Sequence, residues 1–206
     1  MRILRRTDWE SPAAGVPASH YVRQVQATSR ASVSSDSTVL IGGQLKRWRL
    51  VMVVIAVLGY GLDQWAKVEA VAHLDPYNPP SWFGGLITLR LLRNPGAAFS
   101  MGSTVTVLIS LFAVAMLVAV CVWGVPRARH RWSLIACGML IAGICGNLTD
   151  RIFRAPGPLR GHVVDFISLP HFAVFNVADI FITCTAVLIV LTTVSGHHRT
   201  DHGMDD

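Results

Sequence analysis

The chain has 206 residues, of which 52% are hydrophobic and only 15% are charged, and its mean hydropathy is +0.47. Soluble domains usually carry about a quarter charged residues, so this composition excludes an ordinary soluble domain and indicates that lipid surrounds much of the chain. The net charge of +6 does not predict a nucleic acid partner, because the basic residues flank apolar segments, where membrane proteins place their cytoplasmic charges.

The amino-terminal segment differs in composition from the rest of the chain. Residues 1–46 are rich in serine and arginine and have no sustained apolar period. We therefore predict a disordered, basic cytoplasmic tail over residues 1–46. A membrane domain is predicted over residues 47–195, and a cytoplasmic carboxyl-terminal tail over residues 196–206.

Four apolar segments predict four transmembrane helices. The first, residues 50–62, is shorter than the about 20 residues that a span needs, so its helix must continue through Asp63 towards Lys67. The other spans are predicted at residues 103–123, 132–149 and 175–194.

The first long loop contains a strand-like pattern over residues 83–93. Ile87, Leu89 and Leu91 occupy alternate positions behind a pair of glycines, which is typical of a β-strand. The predicted fold is therefore an all-α integral membrane protein with four transmembrane helices and a small extracytoplasmic β element.

Basic residues predict the orientation of the spans. Eight of them precede the first span, and three more lie in the short connection between the second and third spans. Because basic residues near span ends favour the cytoplasmic side, both termini are predicted inside. Loops 68–102 and 150–174 are then outside.

Polar side chains collect at one level of this topology. Asp63 and Asp150 lie where the first and third helices end, while Asn94 and Asn176 lie where the second and fourth begin. Ionisable groups within a membrane are costly and usually functional. The convergence of four helix ends at the outer level therefore predicts a site there.

Two of these helix ends share an Asn-x-x-Asp spacing. The pairs Asn147/Asp150 and Asn176/Asp179 each place both side chains on one helical face. A single pair is more often an interhelical hydrogen-bonding cap. Two pairs at one depth, with Asp63 and Asp165 nearby, favour a functional site instead.

Some of the carboxylates have a cation close in sequence. Asp63 precedes Lys67 by four residues, the favourable order for a helical ion pair, and Asp150 is followed directly by Arg151. These two carboxylates are predicted to stay ionised and to support the structure.

Asp165 and Asp179 have no such cation. Asp165 lies in an apolar stretch and Asp179 opens an apolar helix, and desolvation favours the neutral form of a carboxyl group. Two close carboxyls in such a place would share one proton. One could then act as a base on water while the other polarises a carbonyl, which is the chemistry of aspartic proteolysis.

Other chemistries have weaker support in the sequence. The outer loops contain no serine nucleophile elbow and no His-Glu-x-x-His motif, so neither a metal nor another cofactor is predicted, and His162 is interpreted as a surface or hydrogen-bonding residue. A small membrane transporter or proton-relay protein is the alternative, with the polar helix ends forming half of a pathway. A relay should, however, place ionisable residues along the span.

The sequence resembles the lipoprotein signal peptidases, also called signal peptidase II, in five motifs that occur in the family's order over residues 47–195. The motifs are Asp63-Gln64-Trp65-Ala66-Lys67, Asn94-Pro95-Gly96-Ala97-Ala98-Phe99-Ser100, Gly146-Asn147-Leu148-Thr149-Asp150-Arg151, Val163-Val164-Asp165-Phe166 and Phe175-Asn176-Val177-Ala178-Asp179.

This resemblance implies an aspartyl endopeptidase of the bacterial cytoplasmic membrane, acting at its outer face without a cofactor. Its partners would be membrane lipid and a lipid-modified prolipoprotein, cut just before the lipidated cysteine; the sequence does not indicate an oligomeric state. The family's catalytic pair falls on Asp165 and Asp179. The residues that would line or brace the site are Asp63, Lys67, Asn94, Asn147, Asp150, Arg151 and Asn176.

Three further features follow from the comparison with the family's motifs. Gly96, with Ala97 and Ala98, would let a substrate helix approach closely, and the β element would correspond to the outer cradle that helps to hold the substrate. Ala66 stands where the family usually has Ser or Thr, so a hydroxyl contact is absent there. The loop over residues 154–160 is longer than in some members.

Overall fold

The computed structural model describes the backbone of residues 39–96 and 102–201, and the side chains of residues 39–96 and 105–194. Most of the predicted amino-terminal tail, the small residues Ala97 and Ala98, and the last five residues lie outside these ranges.

Four long helices account for most of the described chain. They are α1 (Gly42–His73), α2 (Gly102–Ala119), α3 (Arg131–Phe153) and α4 (Val177–Asp201). The second helix continues through a π-helical segment, Val120–Gly124, and a final turn, Val125–Arg127. All four are long and apolar enough to cross a membrane, which confirms the four predicted spans.

The helix bounds differ from the predicted ones at the two ends of the membrane domain. Helix α1 begins at Gly42, inside the segment predicted as a disordered tail, and α4 runs to Asp201, inside the predicted carboxyl-terminal tail. The early start of α1 has a packing reason, because Leu40 and Leu45 are both buried.

Three short strands form an antiparallel sheet in the order β1-β2-β3. They are β1 (Ser81–Trp82), β2 (Ile87–Asn94) and β3 (Val163–Ser168). The predicted strand is confirmed from Ile87 onward, but Phe83–Gly85 form a 3₁₀ turn. These three residues have φ angles of 52°, 68° and 95°, which an extended strand does not contain.

Strand β3 was not predicted, and its pairing with β2 decides where Asp165 lies. Leu89 pairs with Ile167 and Leu92 pairs with Asp165, so β2 has one more residue than β3 between the two pairs. Such a β-bulge bends a strand and is common beside functional sites. The pairing joins the two long loops into one sheet.

Helix α3 is the central helix of the bundle and contacts α1, α2 and α4. Glycines allow two of these contacts to be close. A Cβ atom on Gly138 would lie 2.7 Å from the carbonyl oxygen of Met52 in α1, and one on Gly143 would lie 2.7 Å from that of Ala178 in α4. Small residues at such crossings let helix backbones approach each other.

Two apolar clusters hold the ends of α1. At its amino-terminal end the buried members are Leu40, Leu45, Met52, Ala128 and Leu134. At the other end, Ala70 packs with Val164 and Phe166 of β3, and Ala66 packs against this cluster. Ala66 therefore lies against apolar side chains beneath the sheet.

Candidate active site

A buried ion cluster lies where α1 and α3 meet beneath the sheet. The ammonium nitrogen of Lys67 is 2.9 Å from Oδ2 of Asp63 and 2.9 Å from Oδ2 of Asp150, and all three side chains are at most 1% exposed. The ion pair between Asp63 and Lys67 confirms what the spacing of four residues predicted. The Lys67 ammonium group thus forms ion pairs with two buried carboxylates.

The predicted pairing of Asp150 with Arg151 was wrong. Asp150 Oδ1 instead accepts a hydrogen bond from Nε of Arg154, while its Oδ2 contacts Lys67 and the backbone N–H of Val164 at 3.2 Å. The reason is geometric: consecutive helical residues point in different directions, whereas residues four apart lie on one face. Arg151 instead donates to the carbonyl oxygen of Pro95 at 3.4 Å.

Asp63 also connects α1 to the start of α4. Its Oδ1 accepts a hydrogen bond from the backbone N–H of Ala178 at 2.8 Å. On the α3 side, Gln64 donates to Oδ2 of Asp63 at 3.0 Å and to the carbonyl oxygen of Gly146 at 3.1 Å. A Cβ atom on Gly146 would lie 2.5 Å from Oδ2 of Asp63, so only glycine leaves room for this carboxylate.

Gln64, Gly146, Ala178 and Arg154 are site residues that the sequence prediction missed. The first three lie within the quoted motifs, and that position was the available signal for them. Arg154 lies outside every motif, and only its distance of four residues from Asp150 pointed to it.

Asn176 and Asp179 form a reciprocal cap at the start of α4. Asn176 directly precedes the helix, and its Oδ1 accepts the backbone N–H of Asp179 at 3.1 Å. Oδ2 of Asp179 accepts the backbone N–H of Asn176 at 3.1 Å in return. This is the capping-box arrangement, which satisfies two N–H groups at a helix start. Asn176 and Asp179 thus cap the start of one helix, whereas the structural alternative for an Asn-x-x-Asp pair was a cap between helices.

The amide group of Asn176 also reaches the strand that carries Asp165. Its Nδ2 donates to Oδ1 of Asp165 at 2.6 Å. From the other side, Nδ2 of Asn94 donates to Oδ2 of Asp165 at 2.8 Å. Asn94 pairs with Val163 across the sheet, so Asp165 is its diagonal neighbour on the same face.

The environment of Asp165 perturbs its ionisation. The side chain is only 2% exposed, and this burial raises the pKa of the Asp165 carboxyl to about 6, against the opposing effect of the Asn94 and Asn176 amide donors. The negative charge of Asp179 raises this pKa further, whereas Lys67 lowers it. Desolvation is the main cause, as expected for a carboxyl removed from water.

Asn147 joins the ion cluster to Asp179. Its Oδ1 accepts hydrogen bonds from Lys67 and from Nδ2 of Asn176, both at 3.1 Å, and its Nδ2 donates to Oδ1 of Asp179 at 2.8 Å. An ammonium group can only donate, so the amide oxygen must face Lys67. The amide nitrogen must then face Asp179.

The other two asparagines are oriented in the same way. Oδ1 of Asn94 accepts the backbone N–H of Gly96 at 2.8 Å, and Oδ1 of Asn176 accepts that of Asp179. Since the oxygen of each amide is held by a group that can only donate, each NH₂ group is directed towards a carboxylate.

Gly96 lies beside Arg151 rather than in open space. It has a φ angle of +84°, and a Cβ atom there would lie 3.0 Å from Nη2 of Arg151 and 2.9 Å from Cδ1 of Ile109. The small size of Gly96 thus accommodates side chains of the same chain. The approach of a substrate helix to this residue stays a prediction.

The structure links all ten predicted site residues through these contacts. Among the side chains of residues 39–96 and 105–194, no group of three or more His, Cys, Asp or Glu is arranged to hold a metal ion.

Four spanning helices with a carboxylate site at one end of the bundle define a polytopic membrane enzyme. Residues 55–195 match the family model of signal peptidase (SPase) II. The chain therefore belongs to the signal peptidase II family, which confirms the resemblance found in the sequence and does not favour the transporter or proton-relay alternative.

Curated relatives share this assignment over most of the chain. The chain is 45% identical to the lipoprotein signal peptidase of Rhodococcus jostii over 148 residues, covering 72% of this chain and 74% of the relative. It is 44% identical to that of Mycobacterium tuberculosis over 151 residues, covering 73% and 74%. For that of Streptomyces griseus the identity is 39% over 175 residues, covering 84% and 87%.

Solved structures with the same fold are bacterial membrane enzymes. One, described as a bacterial membrane enzyme structure at 1.9 Å resolution, is 26% identical with a TM-score of 0.61, covering 69% of this chain and 92% of that one. A second, at 2.3 Å resolution, is 24% identical with a TM-score of 0.57, covering 70% of this chain and 88% of that one, and shows the fold alone. The chain is accordingly a multi-pass bacterial membrane protein.

Proposed function

We propose that this membrane protease removes signal peptides from diacylglyceryl-modified prolipoproteins, cutting before the lipidated cysteine, with Asp165 and Asp179 as its catalytic pair. The observation that carries this assignment is the position of Asn176, which donates to Asp165 through its amide and shares a reciprocal cap with Asp179. One residue thereby connects the two carboxyl groups, although they lie on different elements of the fold.

The two carboxyls have different surroundings, which supports different roles. Asp165 is buried with a pKa raised to about 6, so it is the partner that keeps the shared proton. Asp179 is half-buried in the first turn of α4, where its two oxygens accept hydrogen bonds from the backbone N–H of Asn176 and the amide of Asn147. Asp179 therefore serves as the base.

The reaction follows from this division. The Asp179 carboxylate takes a proton from water as the water oxygen attacks the scissile carbonyl carbon, and Asp165 donates its proton to the carbonyl oxygen. When the tetrahedral intermediate collapses, the leaving nitrogen takes the proton from Asp179. Asp165 recovers a proton from the hydroxyl group that becomes part of the new carboxyl product.

Lys67 and its carboxylate partners act as positioning residues in this scheme. Lys67 contacts neither catalytic carboxyl, but it orients the amide of Asn147, which donates to Asp179. Asp63 holds the first turn of α4 through Ala178, and α4 carries Asp179. Correct geometry in such sites depends on supporting contacts of this kind.

We also propose that the site faces the outer leaflet and that both termini are cytoplasmic. The site lies at the opposite end of α1 from its basic residues, Lys46, Arg47 and Arg49, and basic residues favour the cytoplasmic side. A diacylglyceryl anchor would hold the scissile bond at headgroup level. The catalytic groups would then lie at the depth of the substrate bond.

The decisive experiment is incubation of the purified protein with a lipid-modified prolipoprotein, followed by mass spectrometry. We expect release of the signal peptide by cleavage directly before the modified cysteine, and no cleavage of the unmodified precursor. Activity should persist in a chelator. Cleavage of both precursors at equal rates would contradict the lipid requirement, and no cleavage of either would contradict the proposed function.

A further inference from the structure

The end of the bundle opposite the active site carries a concentration of positive charge. Five basic side chains there are exposed, and they come from two separate segments of the chain: Lys46, Arg47 and Arg49 from the start of α1, and Arg127 and Arg129 from the connection between α2 and α3.

The structure holds these two segments together. The backbone N–H of Leu40 donates to the carbonyl oxygen of Arg129 at 2.7 Å. The buried cluster of Leu40, Leu45, Met52, Ala128 and Leu134 joins the same two segments, and Trp48 packs against it. We call this surface the basic end; it consists of the five basic residues above and the backbone that carries them.

The basic end has no neutralising carboxylate within the described part of the chain. None of its five side chains forms an ion pair there; Arg127 donates only to the carbonyl oxygen of Trp123, at 3.4 Å. The acidic side chains of residues 39–96 and 105–194 begin at Asp63, about 20 Å further along α1 than Arg49 at 1.5 Å per residue. Among these described side chains the five like charges have no carboxylate close by, and like charges held together attract an anion.

Two exposed tryptophans indicate the depth in the membrane at which such an anion would lie. Trp123 and Trp132 are 60% and 41% exposed and flank the connection that carries Arg127 and Arg129. Exposed tryptophans beside basic residues are typical of the membrane interface, at the level of the lipid headgroups. Basic clusters next to spanning helices attract anionic headgroups.

We infer that the basic end is a binding surface for an anionic phospholipid, whose phosphate group contacts basic side chains of both segments. Such a lipid would connect the start of α1 to the α2–α3 connection at the protein surface. The apolar cluster connects the same two segments in the protein interior. The surface is separate from the active site and does not depend on the proposed function.

The inference can be tested by native mass spectrometry of the full-length protein in detergent, titrated with phosphatidylglycerol or with phosphatidylcholine of the same acyl chains. We expect the unmodified protein to prefer phosphatidylglycerol. Arg127→Gln with Arg129→Gln should weaken phosphatidylglycerol binding by about 25-fold, or about fivefold per charge. The double substitution keeps the Arg129 backbone carbonyl that Leu40 contacts.

The matched control removes two arginines from the opposite end of the protein. Arg90 and Arg93 are exposed on β2, so Arg90→Gln with Arg93→Gln removes the same charge and should leave the preference intact. Lys46→Gln with Arg47→Gln, on the α1 side, should reproduce the loss seen at Arg127 and Arg129.

Three outcomes would overturn the inference. The first is equal binding of the two lipids by the unmodified protein. The second is an equal loss in the control variant, which would indicate a general charge effect. The third is full displacement of the lipid by inorganic phosphate or by an acidic peptide at the same concentration, which would mean that the surface binds anions without requiring a lipid.

Discussion

The ammonium nitrogen of Lys67 lies 3.1 Å from Oδ1 of Asn147, and this contact determines which way the Asn147 amide faces. Because an ammonium group only donates hydrogen bonds, the amide nitrogen is turned to Asp179, to which it donates at 2.8 Å. The buried ion cluster and the proposed catalytic pair are thus connected through a single side chain.

Removal of Lys67 should therefore affect stability first. In Lys67→Met, Asp63 and Asp150 stay buried without their shared cation, and breaking a buried ion pair in this way typically costs about 3–5 kcal/mol. We expect a clear fall in the Tm of the detergent-solubilised protein. Lys46→Met, at the exposed start of the same helix, should leave Tm nearly unchanged; an equal fall in both variants would contradict the role of the ion cluster.

Asp165→Asn and Asp179→Asn should each abolish cleavage while the protein still folds. Asparagine keeps the side-chain volume but can neither accept the proton of water nor donate a carboxyl proton, and the loss of acid–base help typically costs about 10²–10⁴ in rate. Turnover and Tm should be measured together. Turnover above a few per cent in either variant, or loss only through unfolding, would show that the assignment is wrong.

Asp150→Asn is the informative comparison for that pair. Asp150 contacts Lys67 and Arg154 and neither catalytic carboxyl. Its substitution should therefore lower Tm, and it should reduce turnover only by displacing the residues that Asp150 supports. If the variant had an unchanged Tm and no turnover, this result would instead indicate that Asp150 takes part directly in the chemistry.

The pH dependence of turnover should report on Asp165. Because its pKa is raised to about 6 and it supplies a proton, activity should fall as the pH rises through this value. Asn94→Ala removes a donor that favours the ionised form, so the midpoint of this fall should move to higher pH. Thr88→Val, on the same strand, should not move it; a shift to lower pH in Asn94→Ala would contradict the proton assignment.

Gly146→Ala should destabilise the protein by about 1–3 kcal/mol, as overpacking of a filled site does. The added Cβ would lie 2.5 Å from Oδ2 of Asp63 and would push that carboxylate away from Lys67. Gly61→Ala is the matched control on α1, since nothing lies within 4 Å of a Cβ there. Equal Tm values in the two variants would contradict the close contact at Gly146.

The proposed orientation can be checked with reporter fusions in cells. A fusion at Thr200 should report the cytoplasm, and one within residues 75–80 should report the outside, because the basic residues cluster near the other end of α1. A carboxyl terminus on the outer side would contradict the orientation and, with it, the outer position of the active site.

Features that depend on local sequence were predictable here. The four spans follow from the length of the apolar runs, because a helix needs that length to cross the lipid wherever it occurs in the chain. The Asp63–Lys67 pair follows from a spacing of four residues on one helix. The strand from Ile87 could be recognised by its alternating pattern. The five motifs identified the family because their residues and their order are specific even where their contacts are unknown.

The tertiary structure alone decided the contacts between distant segments. Strand β3 has a partner only because the two long loops meet, and the bulge in β2 sets which residue faces Asp165. The start of α1 at Gly42 depends on apolar partners near Ala128. Asp150 pairs with Arg154 and not with the adjacent Arg151, because residues four apart lie on the same face of a helix. The amide nitrogen of Asn147 faces Asp179 because Lys67, which can only donate, holds the amide oxygen. Lys67 is 80 residues away in sequence, so the residues around Asn147 could not predict this orientation.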